Sequence, residues 1–130
     1  MGMSYLFDTN TVIYFLGKIA LSDNALKQID TFCSQGQHLS IITKLELLGY
    51  HFESEKNEES TKNFVSSSKI YQISPEIETE TIILRKTTKM KLPDAIIAAT
   101  AIVNNFALIS ANTKDFRSID RLKLLNPFDL

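Results

Sequence analysis

Four carboxylate side chains stand where the chain passes from one predicted element to the next, and they are the residues best suited to chemistry. Asp8 follows a short apolar run, Glu46 lies early in a predicted helix, Asp94 opens another helix and Asp115 lies in a late turn. Carboxylates that share one cleft repel each other unless a cation lies between them. Oxygen ligands suit hard cations such as Mg²⁺ or Mn²⁺, which leave room for phosphate oxygens. The pattern predicts metal-assisted hydrolysis of a phosphodiester, with the metal activating water.

Each of these acids also has a purely structural interpretation. Asp8 can end a strand and cap the following helix, and Asp94 can stabilise the positive end of a helix dipole. The segment Thr43–Glu46 has the form of a capping box, in which the glutamate bonds back to the first amide of the helix. Asp115 can be an ordinary turn residue. Only the joint placement of the four favours a catalytic site.

The elements that must position the acids alternate between strands and helices. Short apolar runs predict strands at residues 4–7, 38–42, 69–73, 107–110 and 122–125. Helical spacing of apolar residues predicts helices over residues 9–17, 22–34, 43–52, 75–89 and 92–105. Two segments are less regular: residues 53–63 are a loop or the start of a solvated helix, and residues 112–118 are turn-like.

This alternation predicts an α/β fold, a three-layer α/β/α sandwich around a central parallel sheet of about five strands. Ligands of such sheets bind outside the carboxyl ends of the strands. Asp8, Glu46 and Asp115 follow strands, and Asp94 begins a helix that returns antiparallel to them. We therefore expect all four carboxylates at one edge of the sheet.

Length and composition fit one domain over residues 1–130. The chain is 44% hydrophobic and 22% charged, as in soluble globular proteins. Met3 is the expected natural start, with residues 1–2 as an addition. The only cysteine, Cys33, excludes an internal disulfide framework and fits a reducing cytoplasm. There is no apolar stretch of the length needed to cross a membrane.

The charge is unevenly distributed. The net charge is −1, which by itself argues against a nucleic-acid partner. Residues 81–130, however, hold 8 basic and 4 acidic side chains, a net charge of +4. The candidates for contact with phosphates are Lys86, Lys89, Lys91, Lys114, Arg117 and Arg121. If the four acids bind a cation, the remaining surface no longer repels a polyanion.

Four segments together resemble the PIN-domain ribonucleases, and most of all the VapC-type toxins of bacterial toxin–antitoxin pairs. They are Asp8-Thr9-Asn10, Thr43-x-x-Glu46, the run Leu92-Pro93-Asp94-Ala95-Ile96-Ile97-Ala98-Ala99-Thr100-Ala101 and the run Ser110–Phe116. The resemblance extends from Leu6 to Phe128, and its most specific part is the run around Asp94.

The resemblance implies cleavage of RNA by a Mg²⁺- or Mn²⁺-dependent endonuclease, which leaves a 5′-phosphate and a 3′-hydroxyl. Asp8 and Asp94 would be the principal metal ligands and Glu46 a third acid. Many relatives carry a further acid at the position of Asn112, whereas here the acid comes later, at Asp115. The fourth ligand is thus Asp115, Asn112 or both.

The resemblance also implies supporting residues and partners. Asn10 and Thr43 would orient the carboxylates, with Asn112 beside them. A homodimer is expected, silenced by a cognate antitoxin protein.

Three other functions are compatible with parts of the sequence. The segment Phe7–Val12 is similar to the opening motif of haloacid-dehalogenase phosphohydrolases, with Asp8 as nucleophile, but Asn10 replaces the second acid and a late Asp-Asp pair is missing. A receiver-like switch requires adjacent acids near Asp8, which the chain lacks. A PIN-like RNA-binding module with weak catalysis is favoured only by Asn112.

Overall fold

A computed structural model describes residues 2–130. Met1 lies outside the described part of the chain, so the expectation that residues 1–2 are an addition stays a prediction. Five short strands lie at Tyr5–Phe7 (β1), His38–Ser40 (β2), Lys69–Tyr71 (β3), Ala107–Ile109 (β4) and Lys123–Leu125 (β5). They form one sheet in the order β3-β2-β1-β4-β5, and every neighbouring pair is parallel. The predicted parallel sheet is therefore confirmed.

Seven α-helices are described, and a short 3₁₀ helix at Pro127–Asp129 follows them. The α-helices lie at Thr9–Gly17 (α1), Asp23–Gln35 (α2), Ile41–Leu48 (α3), Glu55–Ser66 (α4), Pro75–Thr87 (α5), Leu92–Val103 (α6) and Thr113–Phe116 (α7). None of the helices in this part of the chain is long and apolar enough to span a membrane.

Helices cover both faces of the sheet, because successive side chains of a strand point to opposite faces. Leu6 and Leu108, paired across β1 and β4, pack against α5 and α6. Phe7 and Ile109, the next pair along, pack on the other face against α1, α2 and α4. This arrangement confirms the three-layer α/β/α sandwich.

The helix after β2 begins earlier than the sequence predicts. The hydroxyl of Ser40 accepts a hydrogen bond from the amide of Ile42 at 3.1 Å, so Ser40 is the N-cap of α3. Thr43 is then the third helical residue and Glu46 the sixth. The predicted capping box is wrong, because neither residue lies at the helix terminus, and Glu46 is left for another role.

The two irregular segments both contain helix. Helix α4 occupies most of the charged segment, capped by Ser54, whose hydroxyl accepts from the amide of Asn57. Thr61, Phe64 and Val65 form its buried face. The last segment contains the single turn α7, which buries Phe116. Residues 112–118 are therefore partly helical and not only turn-like.

Candidate active site

Asp8 lies at the junction of β1 and α1, with 8% of its surface exposed. Its carboxylate accepts a hydrogen bond from the amide of Thr11 at 2.9 Å and so caps α1. Burial raises the pKa of Asp8, hydrogen bonds from Ser110 and Thr11 lower it, and the charge of Glu46 raises it further. The structural interpretation of Asp8 as a helix cap is therefore confirmed, and the same bond orients its carboxylate.

Glu46 is held by a residue that the sequence analysis did not select. The hydroxyl of Thr9 donates to Oε1 of Glu46 at 2.5 Å, which joins the first turn of α1 to α3. Thr9 is the middle residue of the Asp8-Thr9-Asn10 motif. That position is the feature of the sequence that could have indicated its role beside Glu46. Its partner is 37 residues away in the sequence.

Asp94 is the third residue of α6 and lies among the other acids. Burial raises its pKa, and the charges of Asp115, Glu46 and Asp8 raise it further, while Lys91 lowers it. Because Coulomb interactions fall with distance and with screening, this pattern places all four predicted acids in one electrostatic neighbourhood. Asp94 is thus within electrostatic range of the other three predicted acids.

Three of the four acids line a single cavity of about 270 Å³. Its walls include Asp8, Glu46 and Asp94, together with Asn10 and Asn112. Asp115 does not line this cavity. It borders the neighbouring one and accepts a hydrogen bond from the side-chain amide of Asn112 at 3.0 Å. Asn112 thus lies between Asp115 and the acidic cavity.

Thr43 is completely buried on α3. Its hydroxyl has no hydrogen-bond partner among residues 2–130, so it contacts no carboxylate directly. Asn10, the other residue expected to orient the acids, lies in the cavity wall. Asn10 and Asn112 thus line the same cavity as three of the acids, whereas Thr43 makes no hydrogen bond to any of the acids.

The donor set fits a hard divalent cation. The acidic cavity offers carboxylate and amide oxygens from α3, α6 and the segments after β1 and β4. Among residues 2–130, no group of three or more Asp, Glu, His or Cys side chains is arranged so that it could hold a metal ion by itself. The acids are instead close enough for mutual repulsion to raise the pKa of Asp94. A cation would relieve that repulsion.

A family model matches most of the chain. The model of the PIN domain matches residues 5–122, which include all four acids. The chain belongs to the PIN-domain family. Among curated proteins, none matches it.

Solved structures extend the similarity over almost the whole chain. A chain of a toxin–antitoxin complex from Klebsiella pneumoniae is 33% identical with a TM-score of 0.72, covering 98% of this chain and 100% of that one. A chain of VapBC2 from Rickettsia felis, bound to a promoter DNA fragment, is 25% identical with a TM-score of 0.79, covering 95% and 98%. A chain of VapBC-1 from nontypeable Haemophilus influenzae is 26% identical with a TM-score of 0.73, covering 96% and 98%. These neighbours confirm the recognition of a VapC-type PIN domain.

Proposed function

We propose that this protein is a Mg²⁺- or Mn²⁺-dependent endoribonuclease and the toxin of a toxin–antitoxin pair. The observation that carries the proposal is the cavity in which Asp8, Glu46 and Asp94 meet from separate parts of the chain. Membership of the PIN-domain family and similarity to chains of toxin–antitoxin complexes support it.

Asp8, Glu46 and Asp94 would hold the cation, with Asn112 beside them. A bound divalent cation supplies Lewis-acid activation of water and offsets the charge that develops on the phosphate. Asp115 was expected among the ligands, and its place outside the cavity supports a role through Asn112. It would also strengthen the negative field around Asp94. Cleavage would leave a 5′-phosphate and a 3′-hydroxyl.

Hydrogen bonds from neighbouring groups favour the ionised form of Asp8 and hold Glu46 in position for cation binding. Hydrogen bonds from Ser110 and Thr11 lower the pKa of Asp8 against the effect of burial, and so favour its ionised form. The hydroxyl of Thr9 holds Oε1 of Glu46, a residue that lines the cavity. Ligand carboxylates that are held in this way need less reordering when the cation binds.

RNA is the proposed substrate. The basic side chains that are candidates for contact with its phosphates lie in different surroundings. Lys89 and Lys114 line the cavity that Asp115 borders, next to the acids. Arg121 instead makes a two-bond ion pair with Glu80, with both nitrogen–oxygen distances at 2.6 Å. Its charge is therefore already compensated, and we assign phosphate contacts to Lys89 and Lys114.

The proposed partners are a cognate antitoxin and a second copy of the chain. The toxin–antitoxin complexes named above support the first. Exposed apolar side chains on α3, Leu45 and Leu48, support a protein contact beside the site. Action on cellular RNA would place the protein in the cytoplasm.

The direct test is cleavage of single-stranded RNA with Mg²⁺, Mn²⁺ or a chelator. Asp8→Asn and Asp94→Asn should each abolish cleavage, and Asp120→Asn, an exposed acid before β5, is the matched control. Cleavage that persists in chelator, or in both site variants, would exclude the proposed mechanism. RNA binding without cleavage under every condition would favour a catalytically weak module, and a phosphoryl group on Asp8 would favour a haloacid-dehalogenase-like phosphohydrolase.

A further inference from the structure

A second cavity adjoins the acidic one. Its volume is about 350 Å³, and it lies between the end of α1, the connection from α3 to α4, and α4 itself. Ile13 and Tyr50 line both cavities. Whatever occupies the second cavity is therefore next to whatever occupies the first.

The walls of this cavity combine aromatic and apolar surface. Tyr50 is 49% exposed although its ring lies 4.7 Å from the ring of Phe52, with the planes inclined by 58°. Leu16 and Ile19 add apolar surface, and Ile19 is 52% exposed. Single-stranded nucleic acids are commonly held by stacking bases on exposed aromatic side chains of this kind.

Polar groups in the same walls suit the edge of a heterocycle. The side-chain amide of Asn57 offers both donors and an acceptor, and it makes no hydrogen bond within residues 2–130. Ser54 lies beside it, since its hydroxyl accepts from the amide of Asn57 at 3.3 Å. Unstacked bases of RNA are read by such groups along their hydrogen-bonding edges.

The charges disfavour a phosphate in this cavity. Of the described residues that line it, none is Lys or Arg, and Glu53 carries a negative charge. A phosphate would be repelled there, whereas a neutral base would not. The basic side chains Lys89 and Lys114 lie at the other neighbouring cavity. Of the two cavities beside the acidic one, the second cavity therefore suits a base, and the cavity lined by Lys89 and Lys114 suits a phosphate.

We propose that the second cavity receives one unpaired base of the RNA next to the scissile phosphate, with Tyr50 and Phe52 stacking it and Asn57 reading its edge. This proposal rests on the proposed ribonuclease function. It assigns the choice of cleavage position to the connection between α3 and α4 and to the first turn of α4, beside the acidic cavity.

The chain contains no tryptophan, so one introduced indole reports on one place. Phe52→Trp in the Asp94→Asn background should bind RNA without cleaving it. We expect its emission to be quenched by short single-stranded homopolymers of A, C or U, with one base the most effective. Phe128→Trp, at an exposed position near the carboxyl terminus, is the control and should not respond. RNA binding that leaves the Phe52→Trp emission unchanged would overturn the proposal.

A second measurement does not depend on the packing of Phe52. Asn57→Ala should alter the base preference at one position beside the cut in a randomised RNA pool, and lower cleavage at preferred sites roughly 5- to 100-fold. Asn63→Ala, an exposed asparagine on the same helix outside the cavity, should keep the preference of the parent. An unchanged preference with Asn57→Ala would overturn the base-binding role while leaving the ribonuclease intact. Loss of all cleavage in the parent protein would instead reject the function on which the proposal rests.

Discussion

The hydroxyl of Thr9 donates a hydrogen bond to Oε1 of Glu46 and thereby connects α1 to α3 at the acidic cavity. Without that bond, a glutamate on an exposed stretch of helix would sample several rotamers. We expect Thr9→Val to lower kcat/KM for RNA by about 10- to 100-fold, as for other groups that orient metal ligands. Thr9→Ser keeps the hydroxyl and should retain most of the activity. Full activity in Thr9→Val, with a loss only in Thr9→Ser, would show that the methyl group, and not the bond, is what matters.

Burial, and then the like charges of Asp115, Glu46 and Asp8, raise the pKa of Asp94, so we expect its ionised form to lower the stability of the cation-free protein. Asp94→Asn removes one of these charges, so at neutral pH in chelator its Tm should exceed that of the parent by a few degrees. Mn²⁺ should raise the Tm of the parent, because it binds only the folded form, and should raise that of the variant little. Thermal unfolding with and without Mn²⁺ measures both effects. A variant less stable than the parent in chelator would contradict the repulsion.

Asn112 and Asp115 should differ in importance, since only Asn112 lines the acidic cavity. We expect Asn112→Ala to lower kcat/KM about 10- to 100-fold and Asp115→Ala by less than about 10-fold. The apparent affinity for Mn²⁺, followed by the concentration that restores activity, should fall in the same order. The reverse order would make Asp115 the direct ligand.

Lys89 and Lys114 should contact RNA phosphates, and Arg121 should not. Each phosphate contact on a single strand adds about 0.7 to the slope of log affinity against log salt. Alanine at both lysines should therefore reduce that slope by about 1.4 and weaken binding of all RNA sequences alike. Arg121→Ala is the matched control, because its guanidinium is paired with Glu80. Titrations of labelled RNA at several salt concentrations measure this slope. An equal reduction of the slope by Arg121→Ala would show that the assignment is wrong.

His38 should make folding sensitive to acid. Burial, and then the charge of Lys69, lower its pKa below the ordinary value of 6.5, and its Nδ1 lies 2.9 Å from the hydroxyl of Tyr71. The folded state thus binds the proton less readily than the unfolded state, so this stability is present above pH 6.5 and is lost as the pH falls through the folded pKa.

Denaturant unfolding between pH 7 and pH 5 measures that loss. The parent should lose stability over this range, and His38→Phe, which keeps an aromatic ring beside Phe106, should lose less. His51→Gln replaces the other histidine at an exposed position and should behave as the parent does. If His38→Phe lost as much stability as the parent over this pH range, a group other than His38 would be responsible for the loss.

Local patterns were sufficient for most of the architecture. Alternating apolar runs and helical spacing predict the parallel sheet and its covering helices, because the spacing of apolar side chains in each element is visible within a few residues. The position of Asp8 directly after β1 follows from the same pattern. Boundaries depend on competition between neighbouring residues, and here the cap formed by Ser40 outcompetes that of Thr43 and starts α3 earlier.

The sequence by itself determined which residue types are available for chemistry and the order of the elements that carry them. Only the tertiary structure decided that Thr9 holds Glu46, that Asp115 lies behind Asn112, and that Arg121 is paired with Glu80. Two of these contacts, Thr9 with Glu46 and Arg121 with Glu80, join side chains from elements far apart in the chain and depend on how helices are rotated and spaced on the sheet. The contact between Asn112 and Asp115 is local, and only its place beside the acidic cavity depends on the fold. Packing of the whole core sets those angles, and no short segment contains them.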